Sequence, residues 1–304
     1  MTTRANTWDW LRQSVRPKGR DKYRKNIVGC DMDLYESRNS GGSIIVVPRM
    51  GESQLFWTQG YLVLKGYFAN YAKEALMLAN ELAESRGKNV VLEPSKEEVR
   101  SVFAVHESET VLGELAWSGA VDTIRCLLND QVYIHQSRVN FKRSGGTGWG
   151  WHSDFETWHV EDGMPDMCCA SLMIALTENT RENGALRVIP GSHNYYISCP
   201  GETPDENWES SLVDQVAGVP DRAAISGLVD LCGGDPVALE LDAGDAVIFH
   251  CNLMHGSQEN KTGTPRTNLF YAYNAEGNML QGPFSGKKPR PQYAATRGFI
   301  NEGI

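Results

Sequence analysis

The strongest constraint on the fold is a change of pattern after Asp130. From there the chain breaks into short apolar runs separated by turn-forming pairs such as Asn183-Gly184 and Pro190-Gly191. Runs of this length between Gly, Pro and Asn are typical of strands in antiparallel sheets. The predicted strands are 132–141, 171–177, 186–189, 237–241, 246–249 and 269–273.

The half of the chain before Asp130 has mostly helical periodicity. Residues 70–86 place alanine and leucine on one stripe, which predicts a helix with Gly87 as its C′ glycine. Shorter helices are predicted at 109–117 and 121–128, and a strand at 61–64. Helices followed by many short strands predict an α+β fold built on a sandwich or barrel.

The same patterns suggest a division of the chain. Residues 1–55 are predicted to be an N-terminal arm, because they are rich in Lys and Arg and lack a clear apolar period. Residues 56–304 are predicted to form a single domain. A polar, partly helical insertion at about 201–232 interrupts the strands of that domain.

Composition excludes several functional classes. A chain of 304 residues with a net charge of −9 lacks the basic surface of a nucleic-acid binder. No apolar run approaches the roughly 20 residues that span a bilayer, so no membrane association is predicted. The N-terminus has no apolar core of a secretory signal. Seven scattered cysteines without a C-x-x-C pair favour a reducing, cytoplasmic setting.

The residues with metal-binding potential are His152 and Asp154, which are two positions apart. In an extended strand they would project from the same face. This spacing alone is a weak signal, since it also describes many pairs of surface residues. His255 in a Met-His-Gly-Ser segment supplies a third ligand. Two imidazoles and one carboxylate form the facial triad of non-haem Fe(II) oxygenases. Arg266, which follows His255, is suited to hold the distal carboxylate of 2-oxoglutarate.

Longer segments carry a more specific resemblance. They read WHSDFETWHVEDGMP at 151–165, YIHQSRVNFK at 133–142, NGALRVIPGSH at 183–193, CNLMHGS at 251–257 and PRTNLFYAYN at 265–274. Over roughly residues 55–300 the chain resembles the phytanoyl-CoA dioxygenase superfamily and, within it, the ectoine hydroxylases.

The resemblance implies a fold, a reaction and a set of site residues. The implied fold is a double-stranded β-helix, a jelly roll of the cupin type, flanked by helices. The implied reaction is hydroxylation of ectoine with Fe(II), 2-oxoglutarate and O₂ by a homodimer. The implied iron ligands are His152, Asp154 and His255. The implied 2-oxoglutarate contacts are Lys142, Asn140, Ser257 and Arg266. The implied ectoine contacts are Gln136, Thr157, Trp158, Phe249, Phe270 and Arg290.

Two alternatives stay open at this point. The first is the same chemistry on another small zwitterion or amino acid, such as a proline-type substrate, because the glycine-rich segment 143–150 departs from the family's composition. The second is a metal-containing cupin that binds a ligand without oxidising it. Arg266 and Lys142 argue against this second alternative, since a simple binding protein has no need of a 2-oxoacid pocket.

Overall fold

Two antiparallel β-sheets pack against each other in the structure, a computed structural model that describes residues 50–95, 97–199, 203–204, 207, 216 and 218–297. The larger sheet has seven strands in the order β1-β9-β6-β11-β4-β3-β2, and the smaller has four in the order β5-β10-β7-β8. The strands are β1 (Tyr61–Leu64), β2 (Val90–Leu92), β3 (Val99–Phe103), β4 (Val132–Lys142), β5 (Trp149–His152), β6 (Cys169–Ala175), β7 (Leu186–Val188), β8 (Val237–Ala238), β9 (Ala246–His250), β10 (His255–Ser257) and β11 (Arg266–Ala275).

The alternation of side chains in the large sheet creates two cores. In β6, Leu172 and Ile174 face the helices and belong to the larger cluster of buried residues. Met173 and Ala175 point the other way and pack against Leu186 of the small sheet. Successive residues of a strand point to opposite faces, so one strand serves both cores. The predicted α+β jelly roll flanked by helices is therefore confirmed.

The described residues include six α-helices: α1 (Met50–Gln59), α2 (Ala72–Glu84), α3 (Val111–Leu115), α4 (Ala120–Leu128), α5 (Asp154–Thr157) and α6 (Arg222–Cys232). The buried face of α2 consists of alanines, which allow close approach to its neighbours. Tyr273 of β11 donates its hydroxyl to the Ala116 carbonyl at the end of α3, at 2.6 Å. None of the described helices is long and apolar enough to cross a membrane.

Several local predictions need correction. The predicted C′ glycine, Gly87, is wrong: α2 ends at Glu84, and Arg86 takes the left-handed conformation with φ 49°. Helix α1 was not predicted, because its apolar residues follow no clear helical period. Strands β2, β3 and β10 were not predicted, because strands of three to five residues carry too little periodicity. The predicted boundary at residue 55 falls inside α1, and residues 1–49 lie outside the described part. Most of segment 201–221 also lies outside it, so the division into arm, domain and insertion stays a prediction.

Candidate active site

Two histidines are brought together by the small sheet. His152 ends β5 and His255 begins β10, and the two residues are direct partners across these antiparallel strands. Their ring centroids are 4.2 Å apart. Cross-strand partners of this kind have adjacent side chains, so the pairing of two short strands places both imidazoles at one point.

Asp154 lies beside the two histidines, but the backbone that places it there differs from the prediction. The expected extended strand does not continue through the motif: β5 ends at His152, Ser153 is extended with φ −109° and ψ 127°, and Asp154 is the first residue of α5. One extended residue between the two ligands still places their side chains together. The carboxylate oxygens of Asp154 lie 3.9 Å from Nε2 of His152 and 3.8 Å from Nε2 of His255.

The geometry of this triad fits a metal ion. The ligand atoms of His152, Asp154 and His255 all lie within 4.8 Å of one another. Nδ1 of His152 lies 2.7 Å from the Gly150 carbonyl, and Nδ1 of His255 lies 2.9 Å from the Leu253 carbonyl. A carbonyl only accepts, so each Nδ1 carries the proton and each Nε2 keeps a lone pair for the metal. Burial and the neighbouring His255 lower the pKa of His152 to about 3, which keeps its imidazole neutral.

A second part of the site is a buried cationic pocket. Arg266 of β11 and Lys142 of β4 are partners in the large sheet, and both are almost completely buried. The ammonium of Lys142 donates to the Ser257 hydroxyl at 2.7 Å. Burial, with the charges of Arg266 and Arg100, lowers the pKa of Lys142 to about 6. Burial and Arg100 lower the pKa of Arg266 to about 10, and its Nε has no hydrogen-bond partner. Basic groups buried together in this way fit an anionic ligand, whose charge would favour the protonated form of Lys142.

The walls of the cationic pocket are close-packed. Gly184, in the turn before β7, has φ +84°, and a Cβ at this position would lie 2.9 Å from Cδ of Lys142. Only glycine adopts this conformation while leaving room for the lysine. Asn140 lies one alternation before Lys142 on β4, and its amide oxygen accepts from the Ser101 hydroxyl at 2.8 Å. The four predicted 2-oxoglutarate contacts therefore come from three strands, β4, β10 and β11.

The predicted substrate aromatics are part of the hydrophobic core, and Phe249 also lies next to the triad. Phe249 is fully buried, and its ring centroid is 5.2 Å from that of His255. Trp158 follows α5 and is 2% exposed, with its ring edge against His135. Phe270 is 8% exposed and packs in the same cluster as Phe249. Thr157, the last residue of α5, is buried as well.

Arg138 was not predicted as a site residue, although it contacts two of the predicted substrate contacts. Its guanidinium donates to the side-chain oxygen of Gln136 and lies 5.2 Å from the centre of the Phe270 ring. The amide nitrogen of Gln136 donates to the Ala294 carbonyl at 2.6 Å. Arg138 stands between Gln136 and Asn140 at the strand period of two, and this alternation was the signal that could have found it.

Arg290, predicted to contact the substrate, is anchored by a residue that was not predicted. Its Nε and one Nη donate to the two carboxylate oxygens of Asp162, at 2.7 and 2.5 Å. Burial alone would lower the pKa of Arg290, but Asp162 raises it above its usual value. Burial alone would raise the pKa of Asp162, but Arg290 lowers it. Bidentate pairing of this kind holds the guanidinium in one orientation.

A jelly roll that carries two histidines and one carboxylate beside a buried cationic pocket defines the class of non-haem iron oxygenases that use a 2-oxoacid. The profile of the phytanoyl-CoA dioxygenase family matches residues 56–268, and the chain belongs to this family.

The relatives of the chain agree with this assignment. It is 45% identical to an ectoine dioxygenase of Sphingopyxis alaskensis over 254 residues, which cover 81% of this chain and 82% of the relative. It is 43% identical to an ectoine dioxygenase of Stutzerimonas stutzeri, over 80% of this chain and 82% of the relative. The crystal structure of EctD from S. alaskensis with 2-oxoglutarate and 5-hydroxyectoine matches with a TM-score of 0.72 at 39% identity, covering 88% of this chain and 89% of that one.

Proposed function

We propose that this chain hydroxylates the compatible solute ectoine to 5-hydroxyectoine, with O₂ and 2-oxoglutarate consumed and succinate and CO₂ released. The observation that carries the proposal is the triad of His152, Asp154 and His255 beside the buried basic residues Lys142 and Arg266. The identity to ectoine dioxygenases over about four fifths of the chain supports the choice of substrate.

Within this proposal, the triad holds Fe(II) and the cationic pocket holds 2-oxoglutarate. Arg266 offers an unpaired Nε and the planar fork that matches a carboxylate, so it binds the distal carboxylate of the co-substrate. Lys142 and Ser257, already hydrogen-bonded to each other, contribute an ammonium and a hydroxyl to the same end. Asn140 lies on the same face of β4 as Lys142 and borders this pocket.

Bound iron with 2-oxoglutarate supplies the oxidising power that converts a C–H bond of the substrate into C–OH. The protein's own residues orient the substrate and exclude water. Ectoine carries an amidinium cation and a carboxylate on a small ring. Trp158, Phe249 and Phe270 present aromatic faces suited to the cation, and Arg290 presents a guanidinium suited to the carboxylate. Gln136 and Thr157 add polar contacts to the same wall. A carboxylate ligand at Asp154 also favours hydroxylation, because halogenases of related architecture leave that position open for chloride.

The proposal also includes a homodimer in the cytoplasm. The resemblance of the sequence to the ectoine hydroxylases supports the dimer, and the scattered cysteines support a reducing compartment. Light scattering of the purified protein tests the oligomeric state: a mass of twice 33.7 kDa is expected. A monomer at micromolar concentration would contradict this part of the proposal.

Succinate release with matched substrates tests the substrate. Protein loaded with Fe(II) is incubated with 2-oxoglutarate and air, and either ectoine or L-proline is added. Ectoine should accelerate succinate release and gain one oxygen atom, whereas proline should do neither. If proline or another zwitterion is hydroxylated in place of ectoine, the chemistry stands and the substrate is wrong. The glycine-rich segment 143–150 would then be the first region to change.

A further inference from the structure

A β-bulge in the large sheet redirects the side chain of Arg100. In the pairing of β2 with β3, Val91 is opposite Ser101 and Leu92 is opposite Val99, so Arg100 is the extra residue. Bulges bend a strand and redirect a side chain, and they occur frequently beside active sites. Arg100 is 2% exposed, which is unusual for an arginine and requires partners that replace water.

The partners of Arg100 lie on both sides of the sandwich. On its own sheet, one Nη of Arg100 donates to Glu93 at 2.9 Å. Across the sandwich, the guanidinium donates to the Thr147 hydroxyl and, at 3.2 Å, to the Gly148 carbonyl. The Thr147 hydroxyl donates to the same carboxylate of Glu93 at 2.7 Å. The guanidinium carbon also lies 3.9 Å from the centre of the Trp149 ring.

These contacts connect the large sheet to the strand that carries an iron ligand. Trp149 opens β5, which ends at His152, and Trp149 is opposite Ser257 of β10. Gly148 packs so closely that a Cβ there would lie 2.7 Å from the Ser257 carbonyl. Ser257 in turn accepts the hydrogen bond of Lys142. One guanidinium therefore holds the backbone segment that forms the wall of the cationic pocket.

We propose that Arg100 is a positioning residue for the 2-oxoglutarate pocket: Glu93 fixes its guanidinium, which holds Gly148 and Trp149 against Ser257. The proposal rests on the proposed function, since it assumes that this pocket binds 2-oxoglutarate. The positive charge of Arg100 lowers the pKa of both Lys142 and Arg266, so its guanidinium lies close to the pocket. Arg100 acts through the residues that it holds and does not itself contact the co-substrate.

Equilibrium binding tests this inference without turnover. Full-length protein is loaded with Mn(II), titrated calorimetrically with 2-oxoglutarate, and compared with Arg100→Met and Arg100→Lys. Arg143→Met is the matched control, because Arg143 lies on the loop that contains Thr147 and Gly148 and forms an exposed 2.8 Å ion pair with Glu98. Circular dichroism and urea unfolding verify that each variant is folded. Mn(II) affinity, measured alone, reports the triad separately from the pocket.

Loss of the planar guanidinium should lower the affinity for 2-oxoglutarate much more than the affinity for Mn(II). Arg100→Met should raise the Kd for 2-oxoglutarate about tenfold or more, while the Kd for Mn(II) changes less than about threefold. Arg100→Lys keeps the charge but not the fork or the stack on Trp149, so it should recover only a minor part of the loss. Arg143→Met should stay within about twofold of the wild type.

Other outcomes separate the possible failures. If Arg100→Met is folded and binds 2-oxoglutarate as the wild type does, the inference is wrong. If Arg100→Lys restores binding completely, charge alone matters and the positioning role is wrong. If Arg100→Met does not fold, Glu93→Gln takes its place: it keeps a hydrogen-bonding side chain but removes the charge that fixes Arg100. An unchanged affinity in Glu93→Gln overturns the inference. A wild type that does not bind 2-oxoglutarate contradicts the proposed function itself.

Discussion

The buried ion pair between Arg290 and Asp162 allows a quantitative test of how Arg290, a proposed ectoine contact, is held. Asp162 is completely buried and accepts two hydrogen bonds from Arg290, and its Oδ2 lies 3.2 Å from Nε2 of His135. In Asp162→Asn, an amide NH₂ replaces one acceptor and faces the donors of Arg290. The variant therefore leaves a buried guanidinium without its counter-charge.

The structure also sets the expected magnitude. Removing one partner of a buried pair costs about 3–5 kcal/mol of unfolding free energy, because the remaining charge stays desolvated. The chain contains a matched control in Arg125 and Asp122, whose ion pair is similar in length at 2.8 Å, with both side chains 35% exposed. Breaking an exposed pair of this kind costs about 0–1 kcal/mol, so Asp122→Asn should be nearly neutral.

Urea unfolding at neutral pH measures both variants against the wild type, with tryptophan fluorescence and circular dichroism as independent probes. We predict that Asp162→Asn lowers the free energy of unfolding by at least about 2 kcal/mol more than Asp122→Asn does. Equal stabilities for the two variants would refute the claim that Arg290 is held by a desolvated carboxylate. In the folded fraction, Asp162→Asn should raise the KM for ectoine more than it lowers kcat, because Arg290 loses its orientation.

Three further predictions concern stability and protonation. Gly184→Ala places a Cβ 2.5 Å from the Gln258 carbonyl at a residue with φ +84°. It should lower the free energy of unfolding, measured in urea, by about 2–5 kcal/mol. Gly233→Ala, with φ +71° and open space, should cost only about 1–2 kcal/mol, and equal losses would contradict the packing argument. Because the pKa of Lys142 is lowered to about 6, binding of 2-oxoglutarate at about pH 7.5 should take up a proton, detectable by calorimetry in buffers of different ionisation enthalpy. Lys142→Met should abolish this uptake, and an uptake that persists in the variant would assign it to another group. Folding lowers the pKa of Asp162. Its carboxylate therefore contributes fully to the free energy of unfolding above its unfolded-state pKa of about 3.9, and this contribution is lost as the pH falls through its folded-state pKa. The difference in unfolding free energy between the wild type and Asp162→Asn should therefore become smaller in acid. A difference that becomes larger would mean that folding raises the pKa of Asp162.

The iron ligands could be predicted because their signal is local or chemically distinctive. His152 and Asp154 are separated by one residue, and that spacing brings their side chains together even though the strand gives way to a helix between them. His255 was identified with them from its segment and from the chemistry of the ligand set, and it lies opposite His152 across the small sheet. An α+β fold built on a sandwich or barrel could be predicted from the short apolar runs and turn signals after Asp130.

The supporting residues were not predictable for a physical reason. The partnership of Arg290 with Asp162 joins positions far apart in the chain, and nothing local to either residue indicates the other. The bulge at Arg100 depends on the register of two strands that are too short to be predicted. Arg138 is different, because it stands between Gln136 and Asn140 at the strand period of two, and this local pattern could have indicated it.

The most direct test of the central claim follows the two atoms of O₂. Protein is loaded anaerobically with Fe(II), 2-oxoglutarate and ectoine, isotopically labelled O₂ is admitted, and both products are analysed by mass spectrometry, with Asp154→Ala as the control. We expect one labelled oxygen atom in hydroxyectoine, one in succinate, equal amounts of the two products, and neither product from the variant. Unlabelled or unchanged ectoine, or appreciable succinate from Asp154→Ala, would contradict the assignment of this site.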